Sequence, residues 1–365
     1  DFHHAVIYVL ARLAGFDADE AGVISYSSQY VDDEVRGDVV YFDTGAIYQP
    51  ICSSHKMVDG RNFNMLANHL SWVPFHFLPG DKGDQLKKKR NDEMNTEDFE
   101  ERVVCVKNSA IAKEMLKECF LFADAPNFLH RIGVTLHVYA DTWAHQRFSG
   151  IQSAHNMVRR IDDEDADSNW FIRVVGGIKD FFVSIVSRFI DKVMPLGHGA
   201  ALVYPDLPYL TWKYKDHRGL IHERNNVEEF MDAVTNIFSM LVQFRKRAYG
   251  NDAEPLAEGD AQAIRKYFTD FTDVDANARH KRWIDAIADG LFTFGAEDIE
   301  YIESGKGSWE DIALGEELFR KCNRRYYEFK EHFMTSDWKM FHDALKDHQY
   351  FLNRVIFPRY NLCLA

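Results

Sequence analysis

The amino-acid sequence predicts an all-α protein: a multi-helix bundle with irregular loops and at most a minor β element. Amphipathic stretches of helical period recur along most of the chain, and no βαβ alternation, internal repeat or low-complexity tract interrupts them. With 46% hydrophobic and 14% aromatic residues over 365 positions, the chain can bury a large core, which sets disorder aside.

The elements follow in order. Residues 3–14 place Val6, Ile7, Leu10 and Leu13 on one face and stop at Gly15, which suits a left-handed helix end. Asp17 or Asp19 caps a second helix running to about Val31. Residues 35–60 change character, and Val39, Val40, Tyr41 and Phe42, set between Gly37 and Asp43, read as a short strand or an extended excursion. A helix from about Phe63 to Ser71 ends at Pro74, the polar stretch 80–95 is a loop, and Thr96 caps a long helix to about Phe122. Pro126 opens the helix that carries His130, His137, Asp141 and His145. The apolar helix expected over 169–194 is interrupted by six charged residues and falls short of a transmembrane segment. Residues 195–225, rich in Gly, Pro and aromatics, read as an irregular ordered loop. Helices resume at 226–248, 259–272, 279–293, 309–332 and 336–354, which makes roughly nine to eleven in all. Residues 1–230 form the expected metal-binding helical core, and 231–365 add helices to the same domain.

A net charge of −14 argues against binding long nucleic acid, which needs clustered cations. The one basic run, Lys87 to Arg90, is followed by Asp92 and Glu93 and reads as a solvated loop. Five widely spaced cysteines, none in a C-x-x-C pair, point to reduced thiols and a cytoplasmic setting, without a thiolate zinc site. The chain opens on Asp-Phe-His-His with no charged and apolar leader, which fits that setting.

Chemistry concentrates in the segment 137–145. A spacing of four advances about 400° and rises roughly 6 Å on an α-helix, so His137, Asp141 and His145 lie along one stripe. Imidazole and carboxylate are ligands that zinc and related divalent ions accept. Asp141, placed in an apolar helix, needs a partner if buried. Such a helix supplies two or three ligands, so others must come from elsewhere. His3 shares the face of Val6, Ile7 and Leu10, whereas His4 is offset by about 100°. Asp32 and Asp33 end the second helix, where acids oppose the macrodipole unless a cation compensates. His69 and His76 flank the apolar run Trp72 to Phe75. His198, between two glycines, is a candidate ligand or phosphate contact, and Asp206 in Tyr-Pro-Asp a weaker one. His55, His155, His217, His222, His280, His332, His342 and His348 sit among polar neighbours and read as surface residues.

These residues carry two resemblances. The Asp-Phe-His opening, Ser-Gln-Tyr-Val-Asp-Asp at 28–33, Pro-Phe-His-Phe-Leu-Pro-Gly at 74–80 and Leu-His-Val-Tyr-Ala-Asp-Thr-Trp-Ala-His-Gln at 136–146 resemble a bacterial family of unknown function over at least the first 230 residues. More distantly, His137-x-x-x-Asp141 is similar to the H-x-x-x-D helix of zinc-dependent phospholipases C and fungal zinc nucleases. That likeness implies an all-α fold and a cluster of one to three zinc ions. Its ligand order would be His3, Asp32 or Asp33, His69 or His76, then His137 and Asp141. The amino-terminal Trp ligand of those enzymes has no counterpart here, and only His145, His198 and Asp206 remain for a third ion.

The function expected is metal-dependent hydrolysis of a phosphoric ester, either a phospholipid or a small phosphodiester. Asp32, Asp33 and Asp141 would be the catalytic carboxylates, and Arg147 or Arg12 would meet phosphate charge. The alternatives are a metal-stabilised helical scaffold without turnover, and a nucleotide phosphohydrolase of the His-Asp type. The chain's one His-Asp dipeptide, His342-Asp343, lies in a charged helix near the C-terminus.

Overall fold

A computed structural model describes residues 1–55, 64–81, 96–158, 160–163, 197, 201, 203–250 and 254–364. The chain begins as a π-turn, Phe2–Val6, that runs into helix α1, Ile7–Leu13, and Gly15 follows at φ 95°. Helix α2, Ala18–Asp33, opens on a reciprocal capping box: Asp17 accepts from the Glu20 N–H and the Glu20 carboxylate accepts from the Asp17 N–H. Such a cap contributes about 1 kcal/mol. Next come α3, Met65–Phe75, α4, Thr96–Arg102, α5, Ala110–Cys119, and α6, Phe128–Ala144. The C-terminal part adds α7, Asn226–Lys246, α8, Glu258–Asp270, α9, Ala276–Ala288, α10, Trp309–Leu314, and α11, Asp337–Phe351.

The fold is mixed α and β, which corrects the all-α expectation. Strands β1, Val40–Phe42, β2, Ile47–Tyr48, β6, Glu317–Lys321, and β7, Arg324–Tyr327, form a four-stranded sheet in the order β2-β1-β7-β6. Its β1–β7 pair is parallel, and the other two are antiparallel. A second, antiparallel sheet joins β3, Arg160–Asp163, β4, Thr211–Lys215, and β5, Ile221–Asn225.

Two stretches read as helix or loop are strands in the structure. The helix expected over 309–332 stops at Gly315, at φ 68°, and Cys322 and Asn323 turn the chain with positive φ into the β6–β7 hairpin. Its Glu, Arg and Lys residues suit helices when judged alone, and only pairing makes them strands. In the supposed loop 195–225, Trp212 and Tyr214 are buried with half-exposed neighbours on either side, the period-two signature of a strand.

Two helix boundaries also differ from expectation. The long helix from Thr96 is broken between Arg102 and Ala110, because Cys105 bridges to Pro79 and exchanges backbone hydrogen bonds with Arg147 and Phe148. Helix α3 continues through Pro74 rather than ending there. Proline removes the N–H that would bond the Leu70 carbonyl, and Gln349 of α11 donates to that carbonyl instead, at 2.7 Å. His348 donates to the Pro74 carbonyl at 3.0 Å and stacks on Phe75. His348, expected at the surface, is buried for this reason, and His342, also expected there, is buried against Glu34, Tyr48 and the Ile51 backbone. The expected helix over 169–194, residues 82–95 of the expected loop and His198 lie outside the described residues.

The main hydrophobic cluster draws on α1, α2, α5, α6, α7 and the C-terminal segment to Leu364. A second lies under the four-stranded sheet, and a third around β4. At the centre α2 packs along α6, and Gly133 sets their separation: a Cβ there would fall 2.4 Å from the Ile24 carbonyl oxygen and 2.5 Å from Ser27 Cβ. Among the described residues no helix is long and apolar enough to cross a membrane.

Two predictions follow from this packing. Gly133→Ala should destabilise the protein by about 2–3 kcal/mol through overpacking, read by urea unfolding; an unchanged midpoint would mean that α2 and α6 separate freely. Burial lowers the His348 pKa to about 4, whereas the unfolded imidazole titrates near 6.5. The unfolded chain therefore binds this proton first, and the stability involved is complete above pH 6.5 and lost as pH falls towards 4. His348→Gln, which keeps a donor for the Pro74 carbonyl, should flatten that acid limb by up to about 3 kcal/mol, and an identical limb in both proteins would refute the assignment.

Candidate metal centre

Several separate parts of the chain deliver side chains to the Asp141 carboxylate. Within α6, His137 Nε2 lies 3.3 Å from Asp141 Oδ2. His76, immediately after α3, places Nδ1 3.3 Å from the same oxygen and 3.2 Å from His137 Nε2. His3, in the opening π-turn, reaches the other oxygen, Asp141 Oδ1, at 3.0 Å. Asp32, in the last turn of α2, stands 3.7 Å from His76 Nδ1 and 3.8 Å from His137 Nε2. The close α2–α6 packing at Gly133 makes this approach possible.

Backbone carbonyls determine which imidazole nitrogens carry protons. A carbonyl only accepts, so His137 Nδ1–H donates to Ser28 at 2.7 Å and His76 Nε2–H donates to Ser53 at 3.1 Å. In the neutral rings the lone pairs are then on His137 Nε2 and His76 Nδ1, which face each other beside the Asp141 carboxylate. These electron-rich atoms repel one another unless a proton or a metal ion lies among them. Ring nitrogens held by carbonyl acceptors on their far side are the usual outer support of metal-bound histidine.

The donor atoms form two overlapping groups, His3, Asp32 and His137, and His76, His137 and Asp141, with the ligand atoms of each within 4.8 Å of one another. His3 adds a further sign of fit: its Nδ1 is buried and finds no hydrogen-bond partner among the described residues. Imidazole and carboxylate without thiolate form a set that suits zinc and its borderline divalent neighbours.

Charge reinforces the cluster. Burial alone would raise the Asp141 pKa, but the imidazoles of His145, His137 and His3 hold it well below the usual carboxylate range. Burial likewise pulls the His3 imidazole down, and the neighbouring Asp141 charge and hydrogen bond overcome it, so its pKa is raised. Burial and the adjacent Asp32 charge push the Asp33 pKa up to about 6, and the Tyr301 hydroxyl donates to Asp33 at 2.5 Å.

The cluster forms one wall of a cleft of about 600 Å³. Phe2, Trp72, Phe77, Phe230 and Phe268 supply much of the apolar lining, and His145 and Asp206 also face the cleft. His145 donates from Nδ1 to the His76 carbonyl at 2.7 Å and lies under the Phe77 ring. It thereby holds His76 in place and stands 3.5 Å from Asp141.

Other candidates are placed elsewhere. His69 bonds the Leu364 carbonyl through Nδ1, away from the cluster. Arg12 is engaged by Glu297 and the Phe16 carbonyl, and neither it nor Arg147 lines the cleft. His342 is 3.3 Å from Glu34 while Asp343 bonds Tyr48 and Lys339, so that His-Asp dipeptide does not converge on one point. His55, expected at the surface, is buried, lines the cleft and bonds Ser71. Arg279 lines it too, with donors engaged by Asp1 and the carbonyls of Asp273 and Val274. No periodicity marks either residue. The burial of His55 follows from the non-local contact with α3, and that of Arg279 from the contact between α9 and the opening turn.

Comparison with curated proteins gives no match, and comparison with solved structures gives none. The model of a protein family matches residues 1–356, nearly the whole chain, and the protein therefore belongs to that family, described as a family of unknown function, DUF6765.

Proposed function

We propose that the cluster is the active site of a metal-dependent hydrolase of phosphoric esters, with one to three divalent ions, zinc foremost, held by His3, Asp32, His76, His137 and Asp141. The observation that carries this reading is the pair of carbonyl-oriented imidazoles whose lone-pair nitrogens face each other at 3.2 Å beside a buried carboxylate. The ligand order along the chain, which parallels that of zinc-dependent phospholipases C, supports a phospholipid or small phosphodiester as substrate.

When bound, such an ion polarises a phosphoryl oxygen and makes water acidic enough to attack near neutral pH. The chain's own residues supply the rest. The Asp32 side chain is 39% exposed, against 4% for Asp141, so Asp32 is the carboxylate placed to orient an attacking water and accept its proton. Asp141 holds three imidazoles in register through its two oxygens. The apolar walls bind the organic part of the ester and limit water around the reacting centre.

Elemental analysis of protein purified without added metal should find stoichiometric zinc or another divalent transition ion, lost in His137→Ala. Protein free of zinc, iron, nickel and manganese would sink the proposal. Phosphodiester and phosphocholine-type reporters should be hydrolysed, with kcat/KM reduced about 100-fold or more in Asp141→Asn, because several kcal/mol of transition-state stabilisation depend on the centre. Bound metal with no turnover of any reporter would favour a metal-stabilised scaffold instead.

A further inference from the structure

The register of the four-stranded sheet sorts its residues onto two faces. Val40, Phe42 and Tyr327 are buried in the second hydrophobic cluster. Strand alternation then sends their neighbours the other way. Ile47 pairs with Tyr41, Tyr41 with Tyr326, and Tyr326 with Phe319, forming one row across all four strands. With strands about 4.8 Å apart, that row spans roughly 15 Å. Ile47 is 67% exposed and Phe319 47%, with Tyr41 and Tyr326 half-buried between them.

Cations are concentrated in the hairpin that ends this row. The β6–β7 hairpin holds Arg320, Lys321, Arg324 and Arg325 against one carboxylate, Glu317, in a chain whose net charge is −14. By the same alternation Arg320 and Arg325 lie on the other face with Glu317, which leaves Lys321 and Arg324 on the face of the row. Lys321 and Arg324 are directly paired, and Arg324 lies over the Tyr41 ring at 5.0 Å. An apolar and aromatic row bordered by cations matches a surface that is apolar below and anionic above.

We propose that this sheet face docks on the surface of an anionic lipid bilayer. Ile47 and Phe319 would enter the boundary between headgroups and acyl chains, the tyrosines would lie at headgroup level, and Lys321 and Arg324 would meet lipid phosphate or carboxylate. The ring geometry favours lipid over single-stranded nucleic acid. Phe319 and Tyr326 stack on each other with centroids 4.7 Å apart and planes 12° from parallel, and Arg324 covers Tyr41. Rings that cover one another offer edges to a partner, whereas a nucleic-acid platform must present open faces to bases. This inference is independent of the chemistry proposed for the cleft.

Flotation of the full chain with vesicles tests it. Vesicles of equimolar phosphatidylcholine and phosphatidylglycerol should bind the protein, pure phosphatidylcholine should bind it weakly, and added salt should weaken the binding. The double variant Lys321→Gln with Arg324→Gln should bind about 30-fold more weakly. Phe319→Ser should also lose binding, with circular dichroism showing that the fold is retained, since the residue lies at the exposed end of the row. Absence of binding to the anionic vesicles, or equal binding by wild type and both variants, overturns the proposal. So does tight binding of a mixed-sequence single-stranded oligonucleotide without vesicle binding.

Discussion

A carboxylate buried inside an apolar helix bundle costs several kcal/mol unless its charge is compensated, and the centre of this protein is organised around that requirement. Asp141 sits in α6, one of the most deeply buried helices, and each of its oxygens is met by imidazole. To bring those imidazoles in, the amino-terminal turn must lie against α6, α3 must end beside it, and α2 must approach closely enough for the Ser28 carbonyl to reach His137. Gly133 permits that approach, because any side chain there would meet the backbone of α2.

The same logic extends outward through hydrogen bonds that look incidental one at a time. His76 is oriented by Ser53 on one side, and its own carbonyl accepts from His145 on the other. Pro74 lies two residues before His76, and α11 satisfies the carbonyls around it through His348 and Gln349. The C-terminal helix therefore bears on the position of a residue in the centre although it contributes no ligand to it. The main hydrophobic cluster, which runs from Phe2 to Leu364, encloses the α6 residues Leu136, Val138 and Ala140 beside His137 and Asp141, whereas Phe75 and α11 pack in the second cluster.

The two sheets are built differently from this centre. Their strands are short, and the only parallel pair, among the described residues, joins β1 to a strand nearly three hundred positions later. The four-stranded sheet buries one face on α11 and α10 and turns the other outward. A polar, cation-rich hairpin is stable there because its partner strand, and not its own composition, provides the pairing.

The sequence by itself determined what short-range physics controls. Helical periodicity, an aspartate cap on the second helix, the Gly15 stop and the stripe of His137 and Asp141 depend on residues within a few positions of one another, and they are present where the pattern places them; the structure selects Asp17 over Asp19 as the cap. His3, Asp32 and His76 were legible as candidates because a charged or imidazole group at the end of an apolar segment needs a reason. Only tertiary structure shows that Asp32 and His76 lie beside the other imidazoles while Asp33 bonds Tyr301 and His69 bonds the Leu364 carbonyl. It decided the strands as well, because the β6–β7 hairpin and its docking on β1 depend on distant partners that local propensity cannot register. The burial of His55, His342 and His348 has the same cause: a histidine among polar neighbours reads as surface until a helix from elsewhere in the chain covers it.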